Sequence, residues 1–187
     1  MHPLAAQGAA DVAIAPVTLV LGGARSGKSA FAESQIERHV EQHGGARVYL
    51  ATAEAGDAEM AARIAAHRAR RGTRWTTIEE PLELAAALAR AARPDGAVLV
   101  DCLTLWLANV IDRRPDAEGE CRRLAETLSE LNGPVVFVAN EVGLGIVPDT
   151  PVARAYRDLA GRLNQWIAAR ADRVVFVAAG LPLVLKP

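Results

Sequence analysis

The sequence predicts an α/β fold of three layers, a mostly parallel sheet between helices with an antiparallel strand at one edge. Three observations predict it. Short β-branched runs alternate with longer amphipathic stretches, the pattern of parallel strands joined by crossover helices. A Gly-rich turn joins the first apolar run directly to a helical segment. The chain has 187 residues, enough to bury a real core in one domain but not in several.

In chain order, Val17–Leu21 reads as a buried strand ending in the Gly-rich turn, and Ser29–Gln42 as a helix. Arg47–Ala51 is a second strand. Asp57–Arg71 is a helix capped by Asp57 and stopped near Gly72. Trp75–Ile78 is a short strand, and Pro81–Ala92 a helix with proline in its first turn, fading at Arg93-Pro94. Val98–Asp101 is a core strand and Leu103–Ile111 a helix. The polar, turn-rich Arg113–Gly119 is the expected mobile connection to helix Glu120–Leu131. Asn132-Gly133-Pro134 then leads to strand Val135–Ala139. Val152–Arg170 places Leu159, Leu163 and Ile167 on one helical face. Val174–Val177 and Leu183–Leu185 close the sheet as an edge hairpin around Gly180-Leu181-Pro182. Residues 1–15 read as a flexible extension and 16–187 as a single domain.

Composition narrows the function. Apolar residues make up 51% and aromatics 4%, with 38 Ala, so the core is aliphatic. A net charge of −1 supplies no field for a nucleic acid backbone or an anionic membrane. Apolar runs fall short of the roughly 18 residues of a membrane span. Cys102 and Cys121 have neither CxxC nor Cys/His ligand spacing, which fits a reducing cytoplasm. Arginines number 19 and lysines only two, Lys28 and Lys186, which draws attention to each retained lysine.

Gly22-Gly23-Ala24-Arg25-Ser26-Gly27-Lys28-Ser29 matches GxxxxGK[ST] between a strand and a helix, the context in which this pattern cradles nucleotide phosphates. Its glycines let successive backbone N–H groups and the helix N-terminus point at phosphate oxygens. Lys28 supplies charge for the β- and γ-phosphates, and the Ser29 hydroxyl is placed to ligate Mg²⁺. A carboxylate for Mg²⁺ or phosphate should end a strand adjacent to the first, and Asp101 fits, a role that does not exclude its capping the following helix. The guanine-reading Asn-Lys-x-Asp signature is missing, so these residues imply a nucleoside triphosphate without choosing its base.

The helix Asp57–Arg71 carries Glu59, Arg63, His67 and Arg70 or Arg71 on one side. An imidazole flanked by guanidinium groups suits attack on a phosphate, yet the same spacing describes an ordinary exposed, salt-bridged face. His39 and His43 lie near a helix C-terminus, where a solvated role is expected.

Together, several segments resemble the bifunctional adenosylcobinamide kinase / adenosylcobinamide-phosphate guanylyltransferase family. They are the phosphate loop, Tyr49-Leu50-Ala51-Thr52-Ala53, Glu59-Met60-Ala61-Ala62-Arg63-Ile64 with His67, and Trp75 with Glu79. They continue through Asp101–Leu107, Asn140-Glu141-Val142-Gly143-Leu144-Gly145-Ile146-Val147-Pro148 and Arg157–Gln165. The resemblance spans about residues 17–186 in order. It implies a P-loop NTPase fold and two reactions: phosphorylation of adenosylcobinamide by ATP or GTP, then transfer of GMP from GTP through a guanylylated histidine. It assigns His67 as nucleophile, and Thr52, Ala53, Glu54, Arg68, Ala69, Arg70, Arg71, Glu79 and Asp101 to the guanine nucleotide. Glu79 would accept from guanine N1 and N2 hydrogens. The resemblance further implies Mg²⁺ accompanying the nucleotide, no permanent cofactor, and a homotrimeric assembly. The rival readings are a monofunctional kinase in which His67 is a surface residue, and a nucleotide-binding module without turnover.

Overall fold

The computed structural model describes residues 14–187; the first 13 residues of the expected extension lie outside the described residues. Ile14, assigned to that extension by sequence, packs against the core.

The helices and strands follow the apolar periodicity closely. β1 (Val17–Gly22) leads to α1 (Lys28–His43), β2 (Ala46–Ala51) to α2 (Ala58–Arg71), and β3 (Thr76–Glu79) to α3 (Leu84–Ala91). β4 (Gly96–Asp101) is followed by α4 (Leu103–Arg113) and α5 (Ala117–Thr127), β5 (Val135–Asn140) by α6 (Pro151–Arg170), and β6 (Arg173–Ala178) by β7 (Leu181–Lys186).

Several expected boundaries move, two of them for a clear local reason, and the edge hairpin turns at Ala179-Gly180, so that Leu181 and Pro182 already belong to β7 and pair with β6. The helix expected from Pro81 begins at Leu84, because Glu80 Oε1 accepts from Leu82 N–H at 3.1 Å and Glu83 N–H at 2.8 Å and holds a turn. The Leu82 carbonyl then accepts from Trp106 Nε1 at 2.9 Å. The expected connection Arg113–Gly119 shrinks to three residues between α4 and α5. Asp116 caps α5 by accepting from Gly119 N–H at 2.8 Å, so the helix starts at Ala117 and not at Glu120.

The seven strands run in the order β3-β2-β4-β5-β1-β6-β7, all pairings parallel except the β6–β7 hairpin. Alternate residues of the central strands enter two cores. Leu19, Val98, Val100, Val135 and Phe137 pack with α3–α6, whereas Val20, Leu99, Val136 and Val138 pack with Ala32, Ile36 and Val40 of α1. These strands are apolar throughout because both faces are covered. Parallel pairing also brings the carboxyl ends of β1 to β6 to one edge, where open α/β sheets bind ligands. The predicted site residues lie along this edge or on the helices beside it.

Candidate active site

The phosphate loop is built by a strand that must end and a helix that must begin within five residues. Gly27 adopts φ 97°, which a side chain would strain, and a Cβ there would lie 3.2 Å from Gly180 Cα. Neighbouring strands brace the loop: Gly180 N–H donates to the Ser26 carbonyl at 2.8 Å, and Glu141 N–H donates to the Gly22 carbonyl at 3.1 Å. Lys28 is buried and its Nζ donates to the Gly23 carbonyl at 2.9 Å, folding the ammonium back across the loop. Ala24 and Arg25 are exposed at the tip, and Ser29 is half-buried in the first turn of α1. The Ser26 hydroxyl is buried without a hydrogen-bond partner.

α2 is held on by charge more than by apolar contact. Asp57 caps it by accepting from Met60 N–H at 2.7 Å, and Gly72 ends it at φ 64°. Among its described side chains only Arg71 is buried. That guanidinium carbon lies 3.2 Å from the centroid of the Tyr49 ring, a cation–π contact, while its Nε and Nη1 have no hydrogen-bond partner. Arg70 pairs with Glu33 of α1 at 2.7 Å, and Arg68 with Glu79 of β3 at 2.8 Å on an exposed surface. On the same helix, His67 Nδ1 stands 3.8 Å from Asp101 Oδ2. The Tyr49 hydroxyl donates to the same carboxylate oxygen at 2.7 Å. Burial pushes the pKa of the Tyr49 phenol upward, and the neighbouring Asp101 carboxylate reinforces this, so the phenol stays a donor.

The position expected for Asp101, on a strand adjacent to the first, is corrected by the strand order. β5 intervenes between β1 and β4. Asp101 is therefore presented to His67 and Tyr49, one strand away from the phosphate loop. Its backbone is held by Thr52, whose N–H donates to the Asp101 carbonyl at 3.2 Å. The fully buried Thr52 hydroxyl donates to the Cys102 carbonyl at 2.8 Å and accepts from Cys102 N–H at 2.9 Å. Asn109 Nδ2 donates to the Thr52 carbonyl at 2.9 Å. Thr52 thus fixes the turn that aims Asp101. Ala53 is half-buried, and the exposed Glu54 pairs with Arg113.

Two neighbourhoods result: the phosphate loop, and a group of His67, Asp101, Tyr49 and Arg71, joined through the Arg70–Glu33 pair. Glu79, Ala51 and Asp101 stand level across β3, β2 and β4, so the Thr52-Ala53-Glu54 turn and Glu79 border the second group. Glu33 and Asn109 were not singled out by sequence, and Tyr49 stood there only within a matching segment, without a role. A phenol on a strand that is otherwise a core run was the available signal for Tyr49; Glu33 and Asn109 gave none. His39 and His43 stack at 4.6 Å near the far end of α1 from the loop.

The family model for cobinamide kinase / cobinamide phosphate guanyltransferase matches residues 18–185. The chain belongs to this family. Its similarity to the bifunctional adenosylcobalamin biosynthesis protein CobP of Pseudomonas aeruginosa is 52% identity over 170 residues, covering 90% of this chain and 96% of that protein. With CobU of Escherichia coli, also named a bifunctional adenosylcobalamin biosynthesis protein, identity is 37% over 183 residues, covering 90% and 98%. Among solved structures, an ATPase domain superposes with a TM-score of 0.49 at 16% identity, over 86% of this chain and 68% of that one. A cobinamide kinase / guanyltransferase carries two phosphorus chemistries in its name, and the carboxyl edge of this sheet offers two neighbourhoods. No described helix is long and apolar enough to cross a membrane. Among the described residues no group of three or more His, Cys, Asp or Glu is arranged to hold a metal.

Proposed function

We propose that this chain phosphorylates adenosylcobinamide with ATP or GTP and then transfers GMP from GTP, through a guanylylated His67, to give adenosylcobinamide-GDP. The observation that carries the reading is His67 beside Asp101 on an arginine-bearing helix, at the same sheet edge as the phosphate loop. In the first step Gly22–Ser29 hold the triphosphate, and Lys28 exchanges the Gly23 carbonyl for phosphate oxygens. Ser29 offers a hard oxygen of the kind Mg²⁺ prefers, and a Mg²⁺ carried in with the nucleotide would neutralise charge on the leaving phosphates. Asp101, at the far side of β5, is a ligand to that ion only if the nucleotide reaches across both neighbourhoods.

In the second step His67 attacks the α-phosphorus, the bond to the β-phosphate oxygen breaks, and pyrophosphate leaves with that electron pair. A phosphate oxygen of the phosphorylated corrinoid then displaces the histidine and takes the GMP. Asp101 orients the imidazole through Nδ1, and Tyr49 orients Asp101. Arg68, Ala69, Arg70 and Arg71 border the phosphates, with guanidinium groups facing developing negative charge. Glu79 reads the guanine N–H edge once Arg68 yields it, and the Thr52-Ala53-Glu54 turn borders the nucleoside.

The reading includes a homotrimer in the cytoplasm. A contact between subunits is supported by an exposed, Ala-rich surface: Ala55, just before α2, and Ala61, Ile64, Ala65, Arg68 and Ala69 on it line an open hollow of about 440 Å³ that a neighbouring subunit would cover. Incubation with GTP labelled at the α-phosphate tests the central claim. Acid-labile, base-stable label is expected on the wild type and none on His67→Ala. An unlabelled wild type that still phosphorylates adenosylcobinamide would leave a monofunctional kinase.

A further inference from the structure

We propose that Glu141 is the proton acceptor of the phosphorylation step, taking the proton of the alcohol that attacks the γ-phosphorus. The inference rests on the kinase half of the function proposed above and adds a residue that neither the phosphate loop nor the histidine site includes. The strand order carries it. Since β5 and not β4 lies beside β1, the carboxylate that follows the strand next to the phosphate loop is Glu141. In register, Gly22 faces Asn140, and Glu141 N–H is bonded to the Gly22 carbonyl at 3.1 Å. The backbone of Glu141 is thereby locked to the first glycine of the loop.

The other groups near the loop are unsuited to the task. Asp101 stands level with Val138, one strand further away, and its Oδ2 is engaged by Tyr49 beside His67. Glu33 Oε1 holds Arg70. The Ser26 hydroxyl and the Asn140 amide are not bases at neutral pH. Among the described residues Glu141 has no Arg or Lys partner within ion-pair distance. Its Oε1 instead accepts from Gly143 N–H at 2.6 Å, a neutral donor that fixes the side chain. A Cβ on Gly143 would lie 2.9 Å from that oxygen, so glycine at this position leaves the carboxylate room to sit against the backbone. One oxygen is thus anchored and the other remains for a proton. The step balances: the acceptor oxygen bonds to the γ-phosphorus, the bond from that phosphorus to the bridging oxygen breaks, and the nucleoside diphosphate leaves with the electron pair. The hydroxyl proton passes to Glu141 and from there to water.

Glu141→Gln tests the assignment, because the amide carbonyl can keep the bond to Gly143 N–H while losing the basicity. Phosphorylation of adenosylcobinamide and labelling of His67 from α-labelled GTP are measured on the same preparations. The expected result is a kcat for phosphorylation lower by about 10²-fold or more, the scale of general-base catalysis. The nucleotide KM and the rate of His67 labelling should stay within about twofold of wild type. A phosphorylation kcat within about threefold of wild type overturns the proposal. So does a parallel loss of both activities, which would make Glu141 a structural residue of the turn. A wild type that labels His67 but never phosphorylates adenosylcobinamide overturns the kinase reading itself and the inference with it.

Discussion

The Tyr49 hydroxyl, the Asp101 carboxylate and the His67 imidazole form a short chain of contacts, and the tyrosine is the one whose role can be separated by a single atom. Tyr49→Phe keeps the ring under Arg71 and removes the 2.7 Å bond to Asp101. Loss of a hydrogen bond to a charged acceptor should lower stability by about 1.5–3 kcal/mol in urea denaturation. His67 labelling should slow because Asp101 is no longer oriented. The pH dependence has a definite sign. Tyr49 is held protonated by the fold, so its contribution is full below the pKa of the unfolded phenol, about 10, and is lost as pH rises beyond it. Above that pH wild-type stability should fall more steeply than that of Tyr49→Phe. Tyr156, pushed up to about 12 by burial, leaves a residual slope in both proteins.

At the scale of the element, α2 differs from the other helices. α3 to α6 each bury an apolar stripe, whereas α2 is fixed by its Asp57 cap, the Arg70–Glu33 pair and the Arg71–Tyr49 stack. Asp57→Ala should therefore cost about 1 kcal/mol of helix stability. Hydrogen exchange in 58–71 should accelerate, and His67 labelling should fall, while phosphorylation at the loop is retained; equal loss of both activities would contradict this division. The helix itself was legible from its Asp57 cap and from Gly72. The way it attaches was not, because Arg71 and Arg70 look alike in sequence and only packing sends one onto a tyrosine and the other to Glu33. The helix start expected at Pro81 moved to Leu84 for a similar reason: a side-chain oxygen of Glu80 accepts from the Leu82 and Glu83 N–H groups and holds a turn there.

For the whole molecule, the sheet is the common support of both neighbourhoods. Phe137 is fully buried in β5, the strand between the phosphate loop and Asp101. Phe137→Ala should destabilise by about 3–5 kcal/mol through loss of apolar contact and the cavity left behind. That corresponds to a melting shift on the order of 10 °C for a chain of this size. Because both sites hang on one sheet, phosphorylation and histidine labelling should be lost over the same temperature range. Separate inactivation midpoints would show that the two neighbourhoods do not share one cooperative unit.

The local pieces were legible without coordinates: which runs are strands, where the glycine-rich loop turns into a helix, and that His67 lies among arginines. These follow from periodicity, capping and the conformational needs of a few residues, all of which act over a handful of neighbouring positions. The order of the strands emerged from the folded chain alone. It moved Asp101 away from the loop, put Glu141 beside it, buried Thr52 against Cys102, and joined Tyr49 to a carboxylate 52 residues later. Strands of nearly equal apolar character compete for the same sheet positions, and the winner depends on how the crossover helices pack on the two faces. That is a property of the assembled cores, which no window of the sequence contains.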